Sequence, residues 1–371
     1  MAGLNETPNA NRTRISFFGL RNAGKSTLVN AFTSQEIAIV SDIAGTTTDP
    51  VSKAMEILPL GPCLITDTAG LDDEGALGEL RVAKSLAVLA TTDIAVWVCS
   101  PGSPKENIAK ERFLLACKER DVQVFEYHRG ESVDELKKKI ASSSTAAQTP
   151  PLLEGLAKRG DRIVCVCPID ESAPKGRLIL PQVELIRECL DIGAIATVCQ
   201  PAELESVLTP GALVVTDSQA FARVKEILLN HQDVRLTSFS VLFARQKGDL
   251  AEYTKGLDAV SSLNDGDKVL IAEGCTHHRQ CNDIGTVKIP KALAKLSGRK
   301  LEFLFSSGGA FDANGVKLIV HCGACMLTRR EVLRRIGLAQ SNNTPITNYG
   351  MLLACASGMK LKKGTTEVAV G

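Results

Sequence analysis

The stretch Arg14-Ile15-Ser16-Phe17-Phe18-Gly19-Leu20-Arg21-Asn22-Ala23-Gly24-Lys25-Ser26-Thr27-Leu28-Val29-Asn30-Ala31-Phe32-Thr33 decides the fold class. Ile15 to Gly19 has the apolar character of a buried strand, and Lys25 to Thr33 puts Leu28, Val29 and Phe32 on one face of a helix. Between them, Gly19 to Ser26 fits G-x-x-x-x-G-K-[ST], in the strand-loop-helix setting that this motif needs. Its glycines let backbone N–H groups close around a β-phosphate, Lys25 neutralises the β/γ oxygens, and the Ser26 hydroxyl is placed to ligate Mg²⁺. The helix N-terminus at Lys25 adds its partial positive charge at the same point.

Outward from this loop, short apolar strands alternate with helical stretches up to Ile140, the pattern of an α/β domain with a mostly parallel sheet. Strands are expected at Cys63 to Thr66, Ile94 to Cys99 and Val122 to Phe125, and the domain's last helix at Gly130 to Ile140. Asp67-Thr68-Ala69-Gly70 follows the strand ending at Thr66, which suits an Asp holding Mg²⁺ through water and a Gly whose N–H meets a γ-phosphate. Gly45-Thr46-Thr47-Thr48-Asp49 lies between the two motifs, where a Thr completes the Mg²⁺ shell.

At these residues the chain resembles GTPases of the TrmE-Era group, whose phosphate loop carries an Asn where Asn22 stands and whose first switch reads Gly-Thr-Thr-x-Asp. The resemblance implies GTP and Mg²⁺ held by Gly19, Asn22, Ala23, Gly24, Lys25, Ser26, Thr27, Thr46, Thr47, Asp67 and Gly70, with Ser26 and Thr47 on the metal. It also implies catalytic roles for Lys25, Asn22, Thr47, Asp67 and Gly70. Hydrolysis would be slow and K⁺-assisted, with Asn22 a K⁺ ligand and Leu71, not a water-orienting Gln, after Gly70. One feature of the group is missing: Asn-Lys-x-Asp, which reads guanine, occurs nowhere in the chain. The strand Val122 to Phe125 is followed instead by Glu126-Tyr127-His128-Arg129. A strand and a helix, together with the base-reading motif, are expected to be absent from a shortened domain.

A second chemistry is written near the other end. Cys275-Thr276-His277 follows the expected strand Lys268 to Ala272, and His321-Cys322-Gly323-Ala324-Cys325 follows Val316 to Val320. In an open α/β sheet ligands collect at the carboxyl ends of strands, so the two loops face each other if the strands are neighbours. A helix expected from Met326 to Ile336 would set Cys322 and Cys325 at its N-terminus, where thiolates are stabilised. Three of the five His, namely His277, His278 and His321, fall in these loops. Cys275, His277, Cys322 and Cys325 satisfy a tetrahedral zinc, and three thiolates with an exchangeable fourth ligand equally suit an iron–sulfur cluster. Cys281 is the spare ligand, and the other eight Cys lie in apolar stretches as core thiols.

The remaining sequence bounds the alternatives. Lys+Arg 43 against Asp+Glu 42, with 4% aromatic residues, gives neither the field nor the stacking surface of a nucleic-acid binder. No apolar run approaches the ~20 residues of a membrane span, and the polar stretch Met1 to Arg14 has no signal-peptide core, so a cytoplasmic protein without membrane partners is expected. Twelve Cys in such a chain are not a disulfide framework. The Ser, Thr and Pro content of Ala141 to Pro151 marks a linker. Three domains follow: a phosphate-loop domain over 1–150, a middle α/β module over 151–250 and a C-terminal α/β domain over 251–371. In the middle module strands are expected near Ile163 to Cys167, Ala194 to Val198, Ala212 to Thr216 and Ser238 to Phe243, with a helix at Gln182 to Leu190.

The combination of a phosphate loop, a middle α/β module, Cys-x-His and His-Cys-x-x-Cys resembles the HydF family of [FeFe]-hydrogenase maturation GTPases. The resemblance extends over Asn5-Glu6-Thr7-Pro8, Pro168-Ile169-Asp170, Ala173 to Pro181, Cys275 to Gly285 and Thr347-Asn348-Tyr349-Gly350. It implies a 4Fe-4S cluster on Cys275, Cys322 and Cys325, with the fourth iron position open or held by a labile His such as His277 or His321. It further implies that the middle module makes a homodimer, and that the partners are the apo-hydrogenase and the radical-SAM maturation enzymes. The competing expectation is a TrmE-Era-like GTPase of tRNA modification or ribosome assembly with a structural zinc site.

Overall fold

The computed structural model describes residues 12–34, 51–58, 60–72, 76–100, 102, 105–143, 150–169, 176, 178–274, 283–307, 311–361 and 366–369. The chain divides into two compact units, Met1–Gln148 and Thr149–Gly371. Among the described residues no helix is long and apolar enough to cross a membrane.

The first unit contains β1 (Thr13–Gly19), α1 (Lys25–Thr33), β2 (Val51–Ile57), β3 (Gly61–Asp67), α2 (Ala76–Leu89), β4 (Ile94–Val98), α3 (Glu106–Glu119), β5 (Gln123–Tyr127) and α4 (Val133–Ser142). Its five strands run in the order β2-β3-β1-β4-β5, parallel except for the edge strand β2. The sheet is buried on both faces, so its central strands read as continuous apolar runs rather than alternations. One face packs Ile15 and Phe17 against Leu28, Val29 and Phe32 of α1 and Leu136 and Ile140 of α4. The other packs Phe18 and Trp97 against Phe113 and Cys117 of α3. The final helix thus lies on the α1 face directly after the strand beside β4, and no sixth strand is present among the described residues of this sheet.

The second unit contains two all-parallel four-stranded sheets. Its first half comprises β6 (Arg162–Val166), α5 (Leu180–Ile192), β7 (Ile195–Cys199), α6 (Leu204–Val207), β8 (Leu213–Thr216), α7 (Phe221–Leu228), β9 (Arg235–Ser238) and α8 (Phe239–Lys247). Its second half comprises α9 (Leu250–Asp258), β10 (Lys268–Glu273), α10 (Ile289–Ser297), β11 (Glu302–Ser307), β12 (Leu318–His321), α11 (Arg329–Ser341), β13 (Ile346–Asn348) and α12 (Tyr349–Ala356), followed by β14 (Lys360–Leu361) and β15 (Val368–Ala369). The strand orders are β7-β6-β8-β9 and β11-β10-β12-β13.

Two expectations are corrected. Ser238 to Phe243 is not a strand: β9 stops at Ser238, whose hydroxyl accepts from the Val241 N–H at 3.2 Å and starts α8. Phe239, Val241, Leu242 and Phe243 are all buried, and a helix buried on every side has no amphipathic period to betray it. The helix expected from Met326 starts later, at Arg329, because the Thr328 hydroxyl takes the capping position and accepts from Glu331 N–H.

The chain's last described residues return to the middle sheet. Thr237 Oγ1 donates to the Thr366 carbonyl at 2.6 Å, Arg235 pairs with Glu367 at 3.6 Å, and Val368 is buried with Val164, Val214 and Leu236. Ala354 and Met359 join the same core, so the sequence beyond residue 250 helps fill the middle layer. Val368→Ala removes two buried methyl groups there and should cost about 2 kcal/mol. The urea midpoint of the full chain reads this, and an unchanged midpoint would show that the returning segment holds nothing.

Candidate functional site

The phosphate loop is shaped before any ligand arrives. Gly19 has φ 153°, and a Cβ there would stand 2.7 Å from the Val98 carbonyl oxygen, so only glycine lets the loop leave β1 beside β4. Asn22 at φ 60° and Gly24 at φ 93° take left-handed conformations, which turn the chain into α1. Lys25 is buried, and its ammonium folds back onto the loop, donating to the Leu20 carbonyl at 2.7 Å and the Gly19 carbonyl at 3.4 Å. Those two carbonyls hold it at the mouth of the loop, where phosphate oxygens would replace them.

Asp67 ends β3, the strand paired with β1, and is fully buried. Ser26 Oγ donates to Asp67 Oδ2 at 2.6 Å, while Asp67 Oδ1 has no partner among the described residues. Burial pushes the carboxyl above its usual range, against the Ser26 hydrogen bond and the Lys25 charge. A buried carboxylate oxygen without a donor beside a serine hydroxyl is the arrangement a Mg²⁺ shell completes, so the residues present fit the ion. Thr68 Oγ1 donates to the Phe17 carbonyl at 2.7 Å, and the Leu71 N–H donates to the Gly19 carbonyl, which tie Asp67 to Gly70 against β1. A Cβ at Gly70 would fall 2.7 Å from Arg21 N, so this glycine permits the close approach of the two motifs. In the loop Ala23 is half-buried and Asn22 exposed, and Thr27 is exposed in the first turn of α1. Thr46 and Thr47 lie outside the described residues.

Where a base would be read, Glu126 is already engaged. Its Oε2 takes the Lys110 ammonium at 2.7 Å, with Cys99 Sγ 3.9 Å and His128 Nε2 4.0 Å away. The Cys99, Glu126 and His128 grouping has metal-ligand types, but the carboxylate's cation is the lysine. Glu131 accepts from the His128 N–H at 3.1 Å within its own turn.

In the second unit β10 and β12 are neighbours, with Ala272 opposite His321, so the loops after them leave the sheet side by side. Cys322 Sγ accepts from the Gly274 N–H at 3.1 Å and from the Ala324 N–H at 3.4 Å. Gly274 immediately precedes Cys275, which with His277 lies outside the described residues. Ala324 at φ 57° turns the chain so that Cys325 follows on the same loop. Burial pushes the Cys322 thiol up to about 11, more than its two N–H donors lower it, and the Cys325 thiol also rises by burial. The expected lowering by a helix N-terminus is not met, because α11 begins four residues beyond Cys325 and burial dominates. A metal bound there would offset this, since coordination deprotonates a thiol outright.

His321 differs from the sequence expectation. It is fully buried, with Nδ1 2.9 Å from the Cys322 carbonyl and Nε2 3.2 Å from Arg335. Burial and the Arg335 charge push its pKa down to about 4, so the neutral ring donates from Nδ1 and accepts at Nε2. Both ring nitrogens are spent on the protein, which removes His321 from the ligand set. Arg335, itself fully buried, donates to Glu331 at 2.8 Å and stacks over Phe311. Burial would raise the Glu331 carboxyl, yet hydrogen bonds from Arg334 and Arg335 hold it below the usual range. Asn348 caps α12 and donates to the Cys322 carbonyl at 3.4 Å. Lys247, Arg335 and Asn348 were not singled out from the sequence; only Asn348 lay in a stretch carrying a resemblance.

Three family models match successive stretches of the chain. A family model described as "50S ribosome-binding GTPase" matches residues 14–137, "Hydrogen maturase F dimerization domain" matches 152–248, and "Hydrogen maturase F tetramerization domain" matches 251–364. The tRNA modification GTPase MnmE of Beijerinckia indica is 34% identical over 120 residues, 31% of this chain and 26% of the relative. MnmE of a Sulfurovum species is 28% identical over 262 residues, 69% of this chain and 49% of the relative. The chain therefore spans a quarter to a half of the length of these curated relatives. The solved structure of Aquifex aeolicus Era bound to GDP.AlF4⁻ is 15% identical, covering 88% of this chain and 98% of that one at a TM-score of 0.28.

The unpartnered oxygen of Asp67 carries a testable cost. Asp67→Asn removes a buried charge, and should raise the stability of the metal-free protein by about 1 kcal/mol while abolishing the Mg²⁺ dependence of nucleotide binding. Thermal unfolding in EDTA and nucleotide titration with and without Mg²⁺ check the two halves.

Proposed function

Because the chain belongs to the hydrogen maturase F family, we propose that it is an [FeFe]-hydrogenase maturation factor: a GTP-binding carrier that holds a 4Fe-4S cluster, receives a di-iron precursor and delivers it to the apo-hydrogenase. The observation that carries this reading is Cys322 Sγ seated 3.1 Å from the N–H of Gly274, the residue before Cys275. The loops after the neighbouring strands β10 and β12 carry Cys275 and Cys281 on one side and Cys322 and Cys325 on the other. Cys275, Cys322 and Cys325 hold the cluster, and the fourth iron position stays exchangeable, as a carrier of cargo requires. The cluster supplies an iron site at which the precursor docks. The radical-SAM maturation enzymes are the source of that precursor in this reading, and the cytoplasm is the compartment.

In the first unit Lys25 and the loop N–H groups bind the β- and γ-phosphates, Ser26, Asp67 and Thr47 serve Mg²⁺, and the Gly70 N–H meets the γ-phosphate. Asn22 holds K⁺, whose charge stands in for an arginine finger, and hydrolysis is slow. Self-association follows from the dimerization and tetramerization domains. The edge strand β7 exposes Ile195 and Val198 on the middle sheet, an open strand edge with apolar side chains that a second copy would cover.

Anaerobic purification with iron and sulfide counted tests the central claim: an iron–sulfur absorption band is expected, and bound zinc alone would favour a structural site instead. Cys275→Ser, Cys322→Ser and Cys325→Ser should each prevent assembly of an intact 4Fe-4S cluster, whereas His277→Ala should change its spectrum and leave the iron. A cysteine variant that retains an intact cluster would overturn the ligand assignment.

Base selectivity follows from the shortened sheet. A site that hydrogen-bonds a base can reject one lacking its donors by about 10⁴-fold or more, but here Glu126 is neutralised by Lys110 and Asn-Lys-x-Asp is absent. The phosphate loop contributes equally to any purine triphosphate. GTP binding should be weak with little preference over ATP, and competition titration of a fluorescent GTP analogue checks it; selective displacement by GTP would show that another residue reads guanine.

A further inference from the structure

Lys247 is the last residue of α8, only 3% exposed, and its ammonium lies against the cysteine loop. Nζ donates to the carbonyls of Leu327 at 3.0 Å, Cys325 at 3.1 Å and Ala324 at 3.3 Å, and sits 5.2 Å from the Phe243 ring centroid. Three acceptors use all three N–H donors of an ammonium. A lysine is almost never buried to this degree without compensation, because desolvating the charge is costly. Burial lowers its pKa, and the groups that favour its charged form are Glu184 and, when ionised, Cys325 and Cys322. A second buried cation, Arg335, is bonded through His321 to the Cys322 carbonyl and is paired with Glu331. Arg335 has the Glu331 carboxylate as its counter-ion, whereas the hydrogen-bond acceptors of Lys247 at this turn are carbonyls, so an anionic centre beside the turn would complete the compensation of its charge.

Resting on the cluster reading above, we propose that Lys247 is a positioning residue for the cluster: it fixes the turn that carries Cys322 and Cys325 and supplies positive charge that raises the cluster's reduction potential. The direction follows from Coulomb's law, since reduction adds negative charge to the centre and a nearby cation in low dielectric stabilises the reduced form. The three hydrogen bonds orient the peptide groups that flank Cys325, which fixes where its Sγ can point. Among known levers on such clusters this is the protein charge beside the sulfurs.

The test compares the full-length wild type, reconstituted anaerobically with iron and sulfide, with Lys247→Gln, Lys247→Arg and Lys247→Met. Gln keeps N–H donors for the carbonyls without the charge, Arg keeps the charge, and Met keeps neither. Lys247→Gln is expected to retain wild-type iron and sulfide, yet to titrate at a lower midpoint potential with an altered EPR spectrum of the reduced cluster. Lys247→Arg should recover the potential, and Lys247→Met should lose iron as well. If Lys247→Gln shows the wild-type potential and spectrum, the proposal is overturned, and this comparison stands even if Lys247→Met does not fold. A wild type that assembles no cluster would instead sink the cluster reading itself, and this inference with it.

Discussion

Two adjacent parallel strands whose connections run to opposite edges of a sheet leave a crevice at their carboxyl ends, and the chemistry of this chain depends on that constraint. In the first sheet the reversal lies between β1 and β4, with β3 on the other side of β1, and the phosphate loop issues from β1 there. In the last sheet the reversal lies between β10 and β12, where Gly274 meets Cys322. Neither crevice requires a dedicated cavity. Each arises because backbone N–H groups and short side chains at strand ends are not consumed by the sheet.

What distinguishes the two sites is how they handle buried charge. At the phosphate loop the charges are opposite and separate: Lys25 rests on backbone carbonyls while Asp67 keeps an unpartnered oxygen, so the apoprotein is poised for an anion and a metal together. At the cysteine loop the thiols are raised by burial, and the compensating groups are cations held by carbonyls and by Glu331. The first arrangement costs stability without a ligand, because among the described residues one oxygen of the buried Asp67 carboxyl has no partner. Packing elsewhere offsets this, in the two-sided core of the first sheet and in the shared core into which Val368 returns.

Much of this was legible because motifs and periodicity agreed: the strand and helix around Gly19 to Ser26 were read within two residues, since a buried strand and an amphipathic helix have different periods. The strands β10 and β12 were likewise legible, and the structure shows them to be neighbours. The helix α8 was not, since an apolar run buried all round carries no period and Phe239 to Phe243 contains several good strand formers. The role of Lys247 was hidden for a related reason. A lysine closing a hydrophobic helix reads as a solvated end, and only the tertiary contact with the Cys325 turn shows otherwise. His321 reads as a ligand by its neighbours in sequence, but strand alternation turns its ring towards Arg335 while Cys322 faces Gly274.

The tolerance of the first sheet to its shortening follows from where its functions lie. Phosphate and metal groups come from the central strands β1 and β3, whose positions are set by buried contacts on both faces. Omitting a strand and a helix at the β5 edge keeps β4 covered, because β5 pairs along its whole length and α4 still lies on α1, with Lys137 over the Phe32 ring. The core therefore closes with five strands as it would with six. A parallel sheet stabilises each strand through its immediate neighbours and the helices above and below, so the central strands β1, β3 and β4 hold their places whatever the number of strands at the edge.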